Sequence, residues 1–127
     1  MLHKDTLLST NKGVLKASSL VVGVKVPTSS GWCTLTSVWK SKVFNRKFKI
    51  ETEIGSVIVD ERQHFFQDND RVNVLRLRTG SLIDTFYGSK KIIKMTQFID
   101  RYGKYFGVQV ASFDSSFYIH NGIMVSY

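Results

Sequence analysis

The side chains in this chain able to move a proton near neutrality are three histidines, His3, His64 and His120, with a single thiol at Cys33 beside them. Imidazole suits proton transfer because its unperturbed pKa of about 6.5 lets it give and take protons around pH 7. His64 follows the acids Asp60 and Glu61, and two readings of that pair stay open: either acid orients the ring, or each is a solvated loop charge. By itself His64 reads as a capping or packing histidine at the end of a strand. Histidines this far apart, with one thiol, lack the spacing of a metal site, so neither metal nor cofactor is expected. Cys33 has no partner for an intramolecular disulfide, which makes a reducing, cytoplasmic compartment the default. Lying after Gly31-Trp32 in a turn, it reads as a half-buried strand-edge thiol rather than a nucleophile.

The elements that must position these groups are strands. From Arg46 to Ile54, Phe48, Ile50 and Ile54 alternate with Lys47, Lys49, Glu51 and Glu53, placing one face inward and the other in water. Gly55-Ser56 turns the chain into a second strand, Ser56 to Asp60. Further strand-like stretches are Thr6 to Thr10, Val24 to Val26, Thr34 to Phe44, Val72 to Leu77, Lys91 to Thr96, Phe106 to Ser112 and Ile123 to Val125. Turn signals fall at Asn11 to Gly13, Ser29 to Gly31, Asp68 to Asp70, Thr79-Gly80 and Asn121-Gly122. Ala17 to Val22 holds a short helical turn, and no internal repeat is strong enough to assert from periodicity. An all-β chain follows, and its 127 residues fit one domain spanning 1–127.

A net charge of +8 raises nucleic acid as a partner. The basic groups at Lys40 to Lys49, Arg71 to Arg78 and Lys90 to Lys104 alternate with apolar residues, as the wet faces of strands do, and no nucleic-acid motif accompanies them. The alternative function is therefore a non-catalytic basic β-domain that binds single strands, with Trp32, Trp39, Phe44 and Tyr87 as stacking platforms, although core packing explains those aromatics more simply. The apolar runs, such as Leu20 to Gly23, fall far short of the roughly 20 residues that cross a bilayer, and no leader opens the chain, so a soluble monomer is expected.

Four stretches, taken in order, carry a family resemblance. The opening run Met1-Leu2-His3-Lys4-Asp5-Thr6, with Thr10, Gly13, Leu20 and Val22-Gly23-Val24-Lys25-Val26, is similar to a block in which a nucleophile precedes a threonine, a turn glycine and a valine-glycine close. Gly55-Ser56-Val57-Ile58-Val59 leading to His64-Phe65-Phe66 is similar to a second block, and Leu77 to Ile83 to the turn after it. Val108-Gln109-Val110 and Phe117 to Val125, with Asn121-Gly122, are similar to the closing blocks. On these residues the chain resembles the minimal inteins of the Hint superfamily, self-excising domains without an inserted endonuclease. The resemblance implies a horseshoe of long, bent antiparallel strands with pseudo-two-fold symmetry, its two termini adjacent at the centre. It also implies protein splicing, with flanking extein segments of a host protein as partners. A complementary intein fragment joins them if the chain is naturally split near Lys16, Ser30 or Gly88.

In that family a first-position thiol or hydroxyl attacks the preceding carbonyl, and the second-block histidine protonates the leaving nitrogen; His64 matches that histidine. Glu61 stands at the family's usual threonine, with Asp60 beside it. Gln109 stands at a common aspartate and cannot act as a base. Ser116 lies where many members carry a further histidine, His120 is an auxiliary candidate, and His3 reads as a surface residue. Met1 occupies the nucleophile position, but a thioether sulfur has no proton to lose. Without gaps Ser126 falls on the penultimate histidine and Tyr127 on the terminal asparagine, whose side-chain amide attacks its own carbonyl; a phenol cannot cyclise in that way. A shift of one residue puts Tyr127 in the penultimate place instead. The resemblance therefore implies a splicing domain inactivated at both ends.

Overall fold

The computed structural model describes residues 1–41 and 46–127, which are all strand and turn apart from three short 3-10 turns. The strands pair antiparallel in a seven-stranded sheet, a four-stranded sheet and two separate hairpins. The large sheet runs in the order Lys94–Phe98, Lys47–Thr52, Gly55–Asp60, Leu2–His3, Tyr105–Val110, Gly31–Ser41 and Lys25–Thr28. The small one runs Phe117–Tyr118, Met124–Ser126, His64–Gln67 and Asp70–Asn73. The all-β architecture is thus the expected one, and its first and last strands each lie inside a sheet.

One turn chemistry closes four of the hairpins. Thr10, Thr28, Thr52 and Thr85 each stand three residues before a glycine, and each Oγ1 donates to that glycine's carbonyl at 2.6 to 2.9 Å. The same oxygens accept from the backbone N–H of Lys12, Ser30, Ile54 and Tyr87. Gly13, Gly31, Gly55 and Gly88 have φ of 92° to 130°, a range that side chains resist, so threonine and glycine together specify the turn.

Two of those turns belong to a repeat. Positions in the first half recur in the second at a constant offset: Leu8 with Phe65, Ala17 with Val74, Leu20 with Leu77, Gly23 with Gly80, Val26 with Ile83 and Leu35 with Ile92. Their backbone bonds match as well. Ala17 N–H donates to Thr6 at 2.8 Å and Val74 N–H to Gln63 at 3.0 Å, while Gly23 reaches Leu35 at 2.9 Å and Gly80 reaches Ile92 at 2.8 Å. The paired apolar side chains are all buried and meet in one core, where the two halves cover each other's apolar faces. This is the pseudo-two-fold arrangement, and chemically different residues at matched positions had hidden it from a reading of periodicity.

Several expectations shift. The strand expected over Thr34 to Phe44 begins earlier and runs Gly31–Ser41, Phe44 lying outside the described residues. Val72 to Leu77 divides into strand Asp70–Asn73 and a 3-10 turn at Val74–Arg76, and Ile54 sits in a turn rather than a strand. Ala17–Ser19 forms the expected short helical turn. Lys47, assigned to a wet face, is only 1% exposed, with its Nζ 4.3 Å from the centre of the Tyr105 ring and the carboxylates of Asp60 and Asp100 acting on it. Trp32 and Tyr87, assigned to the core, are exposed because both sit in or beside hairpin turns. Among the described residues no helix is long and apolar enough to cross a membrane.

Trp39 packs against Gly107 on the neighbouring strand so closely that an added Cβ would lie 2.1 Å from the indole. Gly107→Ala should therefore lower stability by about 2 kcal/mol through overpacking. Urea unfolding followed by tryptophan fluorescence measures this, with a change in native emission reporting the displaced indole.

Candidate functional site at the meeting of the chain ends

The corner between strands Gly55–Asp60 and His64–Gln67 receives both ends of the chain. Leu2 pairs with Val59, so Met1 comes to Asp60: the Asp60 N–H donates to the Met1 carbonyl at 3.0 Å, and the Met1 ammonium donates to Asp60 Oδ1 at 2.8 Å. From the other side Val125 pairs with Phe65 and Ser126 with His64, which delivers Tyr127 beside the imidazole. Within the five residues from Asp60 to His64, Asp60 and Arg62 meet Met1 while Gln63 and His64 meet Ser126 and Tyr127.

Asp60 is the buried anchor. Its carboxylate, 1% exposed, takes the ammonium on one oxygen and Arg62 Nη2 on the other at 3.2 Å, while Arg62 also reaches Ser41 Oγ at 2.6 Å. Burial lowers the Met1 amine's pKa from 8.0 to about 6, against the opposing pull of Asp60. The Asp60 carboxyl is itself held below its ordinary value, its burial being outweighed by the ammonium and by the hydrogen bonds it accepts.

His64 lies on the other flank. Its Nδ1 donates to the terminal backbone oxygen of Tyr127 at 3.1 Å, and Arg71 Nη2 donates to the same oxygen. Arg71 arrives there because the Asp68–Asp70 turn pairs His64 with Asn73 and Phe66 with Arg71, making Arg71 a diagonal neighbour on the His64 face. Its guanidinium stands 5.0 Å from the centre of the Tyr127 ring, whose edge meets Trp39 at 6.0 Å between centroids. Burial first and Arg71 second push the imidazole below 6.5, the Met1 ammonium adding to the effect and the Tyr127 bond opposing it. One carbonyl earlier, Gln63 Nε2 donates to Ser126.

Met1, Asp60, His64, Ser126 and Tyr127 are therefore gathered in one place. Asp60 is directed at the ammonium and Arg62, and Glu61 at Arg46 Nε, 3.3 Å away. Ser126 is fully buried, its hydroxyl donating to the Asp114 carbonyl at 2.7 Å. Ser116 donates to the Phe113 carbonyl at 2.9 Å within a turn. Gln109 is exposed on its strand, its carbonyl accepting from Thr36 at 3.2 Å; among the described residues no contact ties its side chain to the termini. His120 lies elsewhere, its Nδ1 2.8 Å from Ser9 Oγ, lining an open groove with His3, Ser56 and Asn121. Cys33 is half-buried beside Thr28 Oγ1 at 3.3 Å. Reading the sequence missed Arg62, Gln63 and Arg71; the Asp68–Asp70 turn was the available signal for Arg71, since pairing about it sets the register.

A corner that receives both ends of a pseudo-symmetric β-horseshoe defines the Hint fold. Solved structures of inteins share that fold. The chain is similar to the crystal structure of the gp41-1 intein, at 25% identity and a TM-score of 0.86 over 99% of this chain and 97% of that one. It is similar to the MchDnaB-1 intein, at 13% identity and a TM-score of 0.83 over the full length of both. The solution structure of a bacterial intein-like domain from Clostridium thermocellum shares the fold at 14% identity and a TM-score of 0.82, over 100% of this chain and 99% of that one. No protein-family model and no curated protein matches the sequence.

Because the amine's folded pKa is lowered, the unfolded chain takes up a proton between about pH 8 and 6 that the folded chain refuses. Stability should fall across that window as pH drops, by roughly 2 kcal/mol, and the depressed His64 acts in the same direction below 6.5. Urea titrations at pH 8 and pH 6 measure it. Asp60→Asn removes the ammonium's counter-charge and should destabilise the fold by on the order of 3 kcal/mol.

Proposed function

We propose that this chain is the splicing domain of an intein, acting between two flanking segments of a host protein, and that its present residues at the two reacting positions leave it chemically silent. The observation that carries the proposal is the junction itself: Met1 and Tyr127 lie on opposite flanks of one five-residue corner that also holds His64. A domain that joins its neighbours must bring the two peptide bonds it breaks to one place, since holding reactants together supplies much of the rate.

In this reading the nitrogen of residue 1 belongs to the upstream scissile amide. Asp60 accepts from it, and His64, whose lowered pKa favours the neutral ring, takes the proton of the attacking nucleophile and passes it to the leaving nitrogen. The missing part is the nucleophile. The Met1 thioether has no proton to surrender and cannot form a thioester. At the other flank the Tyr127 side chain faces Trp39 and Arg71, and a phenol has no amide to close a ring on its own carbonyl.

Restoring the reacting groups tests this. In a chain carrying Met1→Cys, flanked by peptides and given a terminal asparagine in either register, added thiol should release the upstream peptide, and mass spectrometry should show excised domain. His64→Ala in that background should slow upstream release by about 10² to 10⁴-fold. Unreacted precursor in every register would overturn the proposal.

A further inference from the structure

Resting on the splicing reading, a further charged group at the corner takes part at the upstream bond. We infer that Arg62 is a catalytic residue of the upstream step, its guanidinium stabilising the anion that the residue 1 side chain becomes as it attacks the preceding carbonyl.

The contact is direct. Arg62 Nη2 lies 3.7 Å from the Met1 thioether sulfur, and that sulfur marks where a side chain at position 1 lies. Cysteine there carries its sulfur one covalent bond nearer the backbone, still beside the guanidinium. Although 43% exposed, the Arg62 side chain does not extend into water: the same nitrogen reaches Ser41 Oγ at 2.6 Å and Asp60 Oδ2 at 3.2 Å, while the Arg62 backbone N–H donates to Asp60 Oδ1 at 3.0 Å. A thioether is a weak acceptor, so Met1 gains little from this placement. A thiolate in its place takes a charge-assisted hydrogen bond.

The repeated frame supplies an independent observation. Arg62 matches Asp5 at the offset that relates Leu8 to Phe65, and the backbone follows: Thr6 N–H donates to the His3 carbonyl at 3.0 Å, as Gln63 N–H donates to the Asp60 carbonyl at 3.2 Å. Asp5 pairs outward with Lys16 Nζ at 3.6 Å, both side chains exposed. One backbone corner therefore tolerates either charge, and the cation stands at the copy to which residue 1 comes.

The other charged groups around residue 1 are otherwise engaged. Asp60 has Oδ1 on the residue 1 nitrogen and Oδ2 on Arg62, and His64 handles the proton. Lys47 acts on residue 1 from the neighbouring strand, its Nζ over the Tyr105 ring and within the influence of Asp60, Asp100 and Glu61, the last paired with Arg46. Arg62 touches the residue 1 side chain itself and, as a guanidinium, stays charged at any working pH.

With cysteine at position 1, the thiol proton passes to His64 and the sulfur, now an anion beside Arg62, bonds to the carbonyl carbon of the preceding residue. Collapse breaks that carbon's bond to the residue 1 nitrogen, which leaves with the electron pair and takes the proton from His64. An amide and a thiol become a thioester and an amine, with nothing oxidised or reduced.

The test uses a flanked chain carrying Met1→Cys, Cys33→Ser and His64→Ala, which has one thiol, joins residue 1 to its neighbour by an amide and rearranges slowly. Alkylation by iodoacetamide, followed by mass against pH, reads the ionisation of that thiol. Arg62→Met should move the profile toward the ordinary thiol midpoint of about 8.5 and slow alkylation at pH 7 about tenfold. Arg62→Lys should recover much of the rate, and Ser41→Ala, which frees the guanidinium from one tether, should lose part of it. With His64 restored, Arg62→Met should slow thiol-induced upstream release at pH 7 by about threefold, because a less stabilised thiolate attacks better and regains part of the loss, and the difference should close as pH rises past the thiol midpoint. An alkylation profile in Arg62→Met that coincides with its parent's overturns the role of Arg62 while leaving the splicing reading intact. A parent that holds His64 and still releases nothing upstream sinks the splicing reading separately, since the alkylation profile does not depend on it.

Discussion

The hydrogen bond from the Met1 nitrogen to the buried Asp60 carboxylate is the contact around which the centre of the molecule is arranged. A carboxylate 1% exposed requires compensation for lost hydration, and it finds this in the ammonium and Arg62. Satisfying it pins the first strand beside Val59 and draws Arg62 across to Ser41, which ties the corner to the long strand Gly31–Ser41. Lys47, also buried, adds positive charge to the same neighbourhood and rests on the Tyr105 ring, whose hydroxyl donates to Asp100 at 3.2 Å. The chain's excess of positive charge is thus felt in its interior as well as on its wet faces.

Burial first, and that concentration of cations after it, sets the electrostatics of the junction. His64, the Met1 amine and Lys47 are all pushed toward their neutral forms, each chiefly by burial and then by neighbouring charges, with Asp60 the main opposing influence on the amine and the lysine. The His64 imidazole and the permanently charged Arg71 guanidinium stand side by side but differ in chemistry. The ring can exchange a proton, whereas Arg71 can only stabilise charge. Both sit on one short hairpin, so their spacing is a property of strand register rather than of a mobile loop.

The pseudo-two-fold repeat explains why so small an all-β chain holds this corner in place. Each half is a hairpin, a 3-10 turn and a second hairpin, and alone each would leave its apolar face in water. Leu8 and Phe65, Ala17 and Val74, and Leu35 and Ile92 all lie in one buried cluster, which is how the halves share a core. Symmetry of backbone does not extend to chemistry: Gln63, which holds the Ser126 carbonyl, occupies the position matched in the first half by Thr6. The contacts to the chain ends sit on one copy of the repeated frame.

By itself the sequence determined the all-β class, the turn sites at Asn11–Gly13, Ser29–Gly31 and Asp68–Asp70, and, through its resemblance to inteins, the gathering of Met1, Tyr127 and His64. These were legible because alternation, glycine placement and short motifs are local. Tertiary structure alone decided that Asp60 holds the terminal amine, that Lys47 is buried, that Gln109 and His120 stand away from the junction, and that Arg71 reaches it. Such outcomes depend on which strands become neighbours and in what register, and a shift of one residue sends every side chain of a strand to the opposite face. The order Gly55–Asp60, Leu2–His3, Tyr105–Val110 in the large sheet is set by the fit of two covering halves, a property of the whole core that no local stretch encodes.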